Sequence, residues 1–174
     1  MNDPRYPIGQ FEPKATIDIR SRKRLISQIE QAPAKLRAAV KGLNKRRLDT
    51  PYRDGGWTVR QVVHHLPDSH INAYVRFKLA LTESEPTVKP YDENLWSGLT
   101  DARTASIDAS LQLLESLHER WTILLKSMDP SDFSRKFVHP EYGPRDLDWL
   151  VQLYAWHGRH HVAHITSLRD RIGW

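Results

Sequence analysis

The nine histidines are the residues of this sequence best placed to bind a metal ion, because most of them are clustered. Six fall into two groups, one near position 65 and one near position 160: His64, His65, His157, His160, His161 and His164. A helix places residues four apart on one face, with Cβ atoms about 5–6 Å apart, so two imidazoles at that spacing can share one metal ion. Two pairs compete for this role, His157 with His161 and His160 with His164.

The choice between the pairs depends on which face of the last helix is buried. Leu153, His160, His164 and Ser167 continue one stripe, and this periodicity slightly favours the second pair. A third ligand should come from another helix, where two adjacent histidines near position 65 point about 100° apart and spacing does not choose between them. Three nitrogen ligands leave the fourth position of a tetrahedral ion open for water or substrate, as in catalytic zinc sites.

Composition narrows the chemistry and the partners. The chain has no cysteine, which excludes disulfides and thiolate ligands and leaves nitrogen and oxygen donors for any metal. The net charge of +5 is concentrated in residues 20–24 and 45–47, without the interleaved aromatics of a stacking surface, so we do not expect nucleic acid as a partner. Charges interrupt every apolar stretch and the N-terminal residues lack the apolar run of a signal peptide, so we expect no membrane partner and a cytoplasmic location.

Four segments carry apolar residues at helical spacing, and they must position these histidines. Their approximate limits are residues 19–43, 59–81, 107–128 and 147–171. The third has the most regular apolar face, with apolar residues at alternating steps of four and three. His118 lies on this face and is predicted to be a core histidine. No segment has a convincing β-strand pattern, and residues 129–144 are predicted to be a loop. The pattern predicts an all-α four-helix bundle that forms one domain over residues 1–174.

Local signals mark the ends and irregularities of these helices. Thr58 and Gln61 form a capping box at the start of the second helix, in which each side chain satisfies a backbone donor. Asp146 is the expected N-cap of the last helix. Pro33 is expected to kink or break the first helix, and Pro67 to bend the second just after the histidine pair.

With these residues in view, the chain resembles the DinB/YfiT superfamily, and in particular its YfiT-like metal-dependent hydrolases. The similarity extends over nearly the whole sequence, and its most specific segment is TPYRDGGWTVRQVVHHL, from Thr50 to Leu66. Further matching segments lie at residues 6–9, 68–70, 76–78, 90–93, 160–165 and 173–174.

The resemblance implies a fold, a ligand set and an assembly. The fold is an up-down-down-up four-helix bundle, and a metal ion is bound by three histidines near one end. By position in the family pattern, the ligands are His65, His160 and His164, which leaves His157 and His161 without a ligand role. Family members are homodimers that bind zinc, or nickel instead, and imidazole ligands suit both ions.

A bound metal ion lowers the pKa of its water ligand to about 7, and roles for other residues follow from such an activated water. Asp68, three residues after His65, is a candidate general base. The alternative, which we favour, is that this carboxylate orients a ligand imidazole.

Candidate substrate-binding residues lie in two loops on either side of the second helix. Tyr52, Arg53 and Asp54 precede this helix, and Arg53 could meet an anionic group. Tyr91 and Glu93 follow the helix and could form another wall.

Three functions fit these features. The first is a metal-dependent hydrolase that acts on a small molecule. The second is an S-transferase for a low-molecular-weight thiol such as bacillithiol, mycothiol or glutathione, because some superfamily members join such thiols to electrophiles and a metal ionises a bound thiol readily. The third is a non-enzymatic metal-binding or nucleic-acid-binding stress protein, which predicts salt-dependent DNA binding. We rank them in that order.

Overall fold

Four long helices dominate the computed structural model, which describes residues 3–174. In chain order the helices are α1 (Ile19–Val40), α2 (Lys45–Leu48), α3 (Val59–Thr82), α4 (Glu93–Ser97), α5 (Thr100–Thr104), α6 (Ile107–Ser127) and α7 (Leu147–Ile172). The four predicted helices are confirmed as α1, α3, α6 and α7. None of the helices in the described chain combines the length and apolarity that crossing a membrane requires.

Contacts at the helix ends give the directions of α1 and α7. Near the start of both helices, Arg22 donates to Asp148 at 2.6 Å. Near the end of both, Arg169 donates to the backbone carbonyl of Ala39 at 2.7 Å. The first and last helices therefore run parallel.

The two middle helices run the opposite way. Arg37, near the end of α1, donates to Glu115 in the first half of α6 at 2.9 Å, so α6 is antiparallel to α1. His64 and Ser110, near the starts of α3 and α6, are 2.7 Å apart, so these two helices are parallel. This arrangement is an up-down-down-up four-helix bundle, as predicted.

The expected break at Pro33 does not occur, because α1 continues through it to Val40. α3 also continues through Pro67 to Thr82, and the bend expected there stays a prediction. A proline removes one backbone hydrogen bond. Both prolines are buried, and we attribute the continuity of both helices to this packing against the rest of the bundle.

A short hairpin occupies part of the segment predicted to be a loop, so the expectation of no β-structure was wrong. Strand β1 (Lys136–His139) pairs antiparallel with β2 (Gly143–Asp146), and the turn between them ends at Gly143, which has a φ of 69°. Phe137 is fully buried and anchors the hairpin to the bundle. Strands of four residues are too short for a period-two pattern to stand out in the sequence.

A layer of buried histidines separates two apolar layers of the core. Along α3 the buried aliphatic and aromatic residues stop at Leu66 and resume at Ala73. Along α7 they stop at Ala155 and resume at Ile165. The polar layer therefore lies at one level of the bundle, where α3 and α7 pack against each other.

The predicted capping box at the start of α3 is confirmed, and it gives a test of local stability. The Thr58 hydroxyl accepts from the backbone N–H of Gln61 at 3.2 Å, and the Gln61 side chain accepts from the backbone N–H of Thr58 at 2.9 Å. We expect Thr58→Ala to lower the free energy of unfolding by about 1 kcal/mol, measured by urea denaturation. Thr82→Ala, the same substitution at the other end of α3, is the control, and equal losses from both variants would contradict the capping role.

Candidate metal centre

Three histidines from two antiparallel helices converge in the polar layer. His65 comes from α3, and His157 and His161 come from successive turns of α7. One ring nitrogen from each lies within 4.8 Å of the others. The Nε2 atoms of His65 and His157 are 3.3 Å apart. The i,i+4 spacing on α7 therefore presents two imidazoles to a third on the facing helix.

Burial keeps these imidazoles uncharged at neutral pH. His65 and His161 are buried, while His157 is intermediate in exposure. Loss of solvation lowers the pKa of His65 to about 4, with the charge of His164 adding to the effect. The pKa values of His157 and His161 lie well below the ordinary value, chiefly because of desolvation. Neutral imidazole is the form that binds a metal ion.

A second group shares one member with the first. His160, His161 and His164 also bring one nitrogen each within 4.8 Å of one another. His164 lies under the ring of Tyr52, with centroids 4.0 Å apart, and Trp156 stacks on His160 at 4.3 Å. His161 is therefore common to both groups.

The ligand set implied by the resemblance is divided between these groups. The structure places His65 with His157 and His161, and it places His160 and His164 in the other group. Among the described residues, His65, His160 and His164 do not form a group of their own. That set stays a prediction, and the geometry favours His157 and His161 as the partners of His65.

A cavity of about 290 Å³ lies beside the first group. Its lining includes all three histidines of that group and side chains from α3, α4, α7, the hairpin and the loop after α3. These include His65, Ser69, Arg76, Tyr91, Glu93, His139, Glu141, Tyr142, Tyr154, His157 and His161. The histidines therefore face a space large enough for a small molecule.

The predicted substrate-binding residues divide between two places. Tyr91 and Glu93 line the cavity, as expected for a wall. Tyr52 instead stacks on His164, and Arg53 donates to the Tyr52 hydroxyl and to the backbone carbonyl of Asp54. Within the described chain, these last three residues are not part of the cavity lining.

Asp68 also lies outside the described lining of this cavity. Burial raises the pKa of its carboxyl to about 6, and the negative charge of Asp101 adds to the rise. Such a value suits proton transfer near neutral pH. The role of Asp68 as a base or as an orienting carboxylate stays a prediction.

Arg76 is the cavity residue that sequence reasoning missed most clearly. Its side chain is buried, and its guanidinium donates to the backbone carbonyl of Lys89 at 3.3 Å. Within residues 3–174 it forms no salt bridge with a carboxylate. Ser69 lies four residues after His65, and Arg76 lies seven residues after Ser69. This helical spacing was the signal that could have found them.

Fold and site together define a helical bundle with a histidine cluster, able to hold a metal, between two antiparallel helices. A sequence profile of the DinB superfamily matches residues 28–165. The chain therefore belongs to the DinB superfamily, as the resemblance of its motifs indicated.

Individual relatives match over the full length. A protein of Bacillus mycoides (strain KBAB4) that bears the name "Putative metal-dependent hydrolase" is 55% identical over 174 residues, which is 100% of both chains. A protein of the same name from Bacillus cereus (strain 03BB102) is 56% identical over 174 residues and again covers 100% of both. The chain is thus similar throughout to proteins named for a metal-dependent reaction.

A solved structure has the same fold. YfiT from Bacillus subtilis, described as "a probable metal-dependent hydrolase with an unusual four-helix bundle topology", matches with a TM-score of 0.96. The two chains are 50% identical, and the match covers 98% of each.

Proposed function

We propose that this protein is a metal-dependent hydrolase of a small anionic molecule and that His65, His157 and His161 hold its metal ion. The observation that carries the proposal is the convergence of three imidazole nitrogens within 4.8 Å at the wall of a cavity. The names of the relatives support the reaction class. The proposal replaces His160 and His164 of the implied set with their neighbours on α7.

The geometry of the cluster fits an ion of the zinc or nickel kind. Zinc–nitrogen bonds of about 2.0–2.1 Å in a tetrahedron separate two nitrogens by roughly 3.3–3.4 Å. The Nε2 atoms of His65 and His157 are 3.3 Å apart, which matches this separation. Neutral imidazole donors suit both zinc and nickel. Three protein ligands also leave one position of a tetrahedron open, as in catalytic sites.

The cavity residues supply binding and orientation. A divalent ion in this position provides the Lewis acidity that makes water a nucleophile near neutral pH. Arg76, a buried cation in the same cavity, attracts an anionic group of the substrate, because an arginine without a carboxylate partner gains most from such a ligand. Tyr91 and Glu93 form a more exposed part of the cavity wall and limit the size of the molecule that enters.

Turnover by the metal-loaded protein tests the proposal. We expect zinc- or nickel-loaded protein to hydrolyse activated esters or amides, with a preference for substrates that carry a carboxylate or phosphate. Arg76→Met should raise KM for an anionic ester about 10–100-fold and leave KM for a neutral ester nearly unchanged, since a charge-assisted hydrogen bond contributes about 1.5–3 kcal/mol. Arg103→Met, at an exposed arginine outside the cavity, is the matched control.

The same assay separates the alternative functions. Consumption of a low-molecular-weight thiol together with an electrophile, without ester or amide hydrolysis, would instead support the S-transferase. Metal binding without either reaction, combined with salt-dependent DNA binding, would support the non-enzymatic reading. The homodimer and the cytoplasmic location stay predictions.

A further inference from the structure

Two histidines that no role above uses connect the metal cluster to the opposite side of the bundle. His70 lies on α3 and His118 on α6, and both are almost fully buried. His118 Nδ1 is 2.7 Å from the backbone carbonyl of Ile29, and His118 Nε2 is 2.8 Å from His70 Nδ1. His70 Nε2 is in turn 3.0 Å from His157 Nδ1. These contacts form one continuous chain of hydrogen bonds across four helices.

The carbonyl at the end of this chain determines where every proton lies. A carbonyl oxygen only accepts hydrogen bonds, so His118 must donate to Ile29 through Nδ1–H. His118 is neutral, so its bare Nε2 accepts from Nδ1–H of His70. The same step repeated at His70 makes its Nε2 the acceptor of Nδ1–H of His157. The Nε2 atom of His157 is then left with a free lone pair, 3.3 Å from Nε2 of His65.

A second, shorter chain begins at His161 and ends on another carbonyl. His164 Nε2 is 3.1 Å from the backbone carbonyl of Arg5, so that nitrogen carries the proton. The Nδ1 atoms of His164 and His161 are 3.3 Å apart. Since Nδ1 of neutral His164 is bare, it accepts from Nδ1–H of His161. Nε2 of His161 is consequently the nitrogen with a free lone pair.

We propose that these two histidine chains act as positioning relays, which hold His157 and His161 in the Nδ1–H tautomer and direct both Nε2 lone pairs at the metal ion. The inference rests on the proposed function, because it assigns the ion to His65, His157 and His161. It also gives the second histidine group a role without a second ion: His164 orients His161 from outside the ligand set. Partners of this kind fix the tautomer and the orientation of ligand imidazoles.

His65 differs from the other two ligands. Within the described chain, its hydrogen bond is the contact with Nε2 of His157, whose lone pair accepts a hydrogen bond from Nε2–H of His65. A metal ion held by both Nε2 atoms would take the place of that proton, and His65 would then carry its proton on Nδ1. His65 is therefore the ligand expected to change tautomer when metal binds, while His157 and His161 keep theirs.

Nitrogen NMR of the whole, metal-free chain labelled with ¹⁵N-histidine tests the proton positions directly. Long-range proton–nitrogen correlations distinguish protonated from bare ring nitrogens. We expect protonated Nδ1 and bare Nε2 at four positions: His70, His118, His157 and His161. We expect the reverse at His164. Titration with zinc should change the tautomer of His65 alone. A protonated Nε2 at His157 or His161 in the metal-free parent would overturn the proposal.

Removal of His118, the histidine of the longer hydrogen-bonded series that is farthest from the metal cluster, tests the effect of that series on His157. His118→Phe deletes the acceptor for His70, so His157 should lose its single tautomer, and the zinc affinity should fall about 10–100-fold. Trp121→Phe is the matched control, because Trp121 packs against His118 with centroids 5.6 Å apart but takes no part in the chain. Unchanged His157 tautomer and zinc affinity in His118→Phe would overturn the relay.

The proton positions are measured without metal, so the tautomer assignment and the proposed metal-binding function can fail separately. A parent with the expected tautomers that takes up no zinc would contradict the proposed function while supporting the tautomer assignment. If His118→Phe does not fold, His164→Phe provides the same test on the shorter chain through the tautomer of His161.

Discussion

Replacing His157 or His161 with alanine is expected to lower the zinc affinity of the protein by more than about 100-fold. Each substitution removes one of three nitrogen donors, which is a larger loss than the 10–100-fold typical of residues that only orient a ligand. The dissociation constant can be measured by competition with a chromophoric chelator, and the metal content of purified protein by mass spectrometry. Hydrolytic activity should disappear with the metal.

Three further alanine variants make this result specific. His64→Ala is the matched control, because His64 is also buried in α3 but is hydrogen-bonded to Ser110 at 2.7 Å and belongs to neither histidine group. His160→Ala should bind zinc nearly as tightly as the parent. The zinc affinity of His164→Ala should lie between that of His160→Ala and that of the ligand variants, since His164 acts through His161. Loss of zinc in His160→Ala with retention in His157→Ala would instead support the ligand set implied by family resemblance.

The metal-free protein is expected to lose several kcal/mol of stability between pH 7 and pH 4. Desolvation lowers the pKa of His118 to about 4 from its ordinary value of 6.5. Above pH 6.5 the side chain is neutral in both states and has no effect. Between pH 6.5 and about 4 the unfolded chain takes up a proton that the folded chain does not, so stability decreases as the pH is lowered. Below about pH 4 both states are protonated and the loss is complete. At about 1.4 kcal/mol per pKa unit, this residue alone accounts for on the order of 3 kcal/mol.

Other buried groups modify this profile in both directions. The pKa of His70 is also lowered well below 6.5 by burial, and the neighbouring histidines add to the shift, so its effect has the same sign. The raised pKa of Asp68, about 6, acts oppositely, because its folded carboxyl binds a proton before the unfolded one does. Asp68→Asn should therefore make the acid loss steeper.

Urea denaturation of the metal-free protein at several pH values measures this effect. The pH dependence of the unfolding free energy gives the difference in bound protons between the two states. His118→Phe should flatten the profile between pH 6.5 and 4, because it removes one group that only the unfolded chain protonates. A profile that is flat in the parent, or equally steep in this variant, would contradict burial of neutral His118.

Local features of the fold were predictable because they depend on residues close in sequence. The apolar face of α6 and the capping box at Thr58 and Gln61 follow from spacings of three and four, which a helix converts directly into contacts. Both proved correct. The break considered at Pro33 did not occur, because the local cost of a proline is visible in the sequence but the packing that offsets it is not.

The histidines show where local spacing stops being sufficient. Sequence alone determined that two i,i+4 pairs on α7 and one adjacent pair on α3 could supply a metal site. It did not determine which of them meet. α7 packs against both α1 and α3, so its buried face is wider than the single stripe on which the periodicity prediction depended. This face includes Gly158, His160, His161 and His164.

Only the tertiary structure decided which imidazoles face one another and what surrounds them. Antiparallel packing of α3 on α7 brings His65 to His157, although the two are 92 residues apart and His157 is not the most buried histidine. The cavity wall that holds Arg76 and His139 likewise needs the hairpin to fold against α3. A helix fixes the angle between neighbouring side chains, but the rotation of one helix against another depends on packing across the whole core. That rotation selects the ligands.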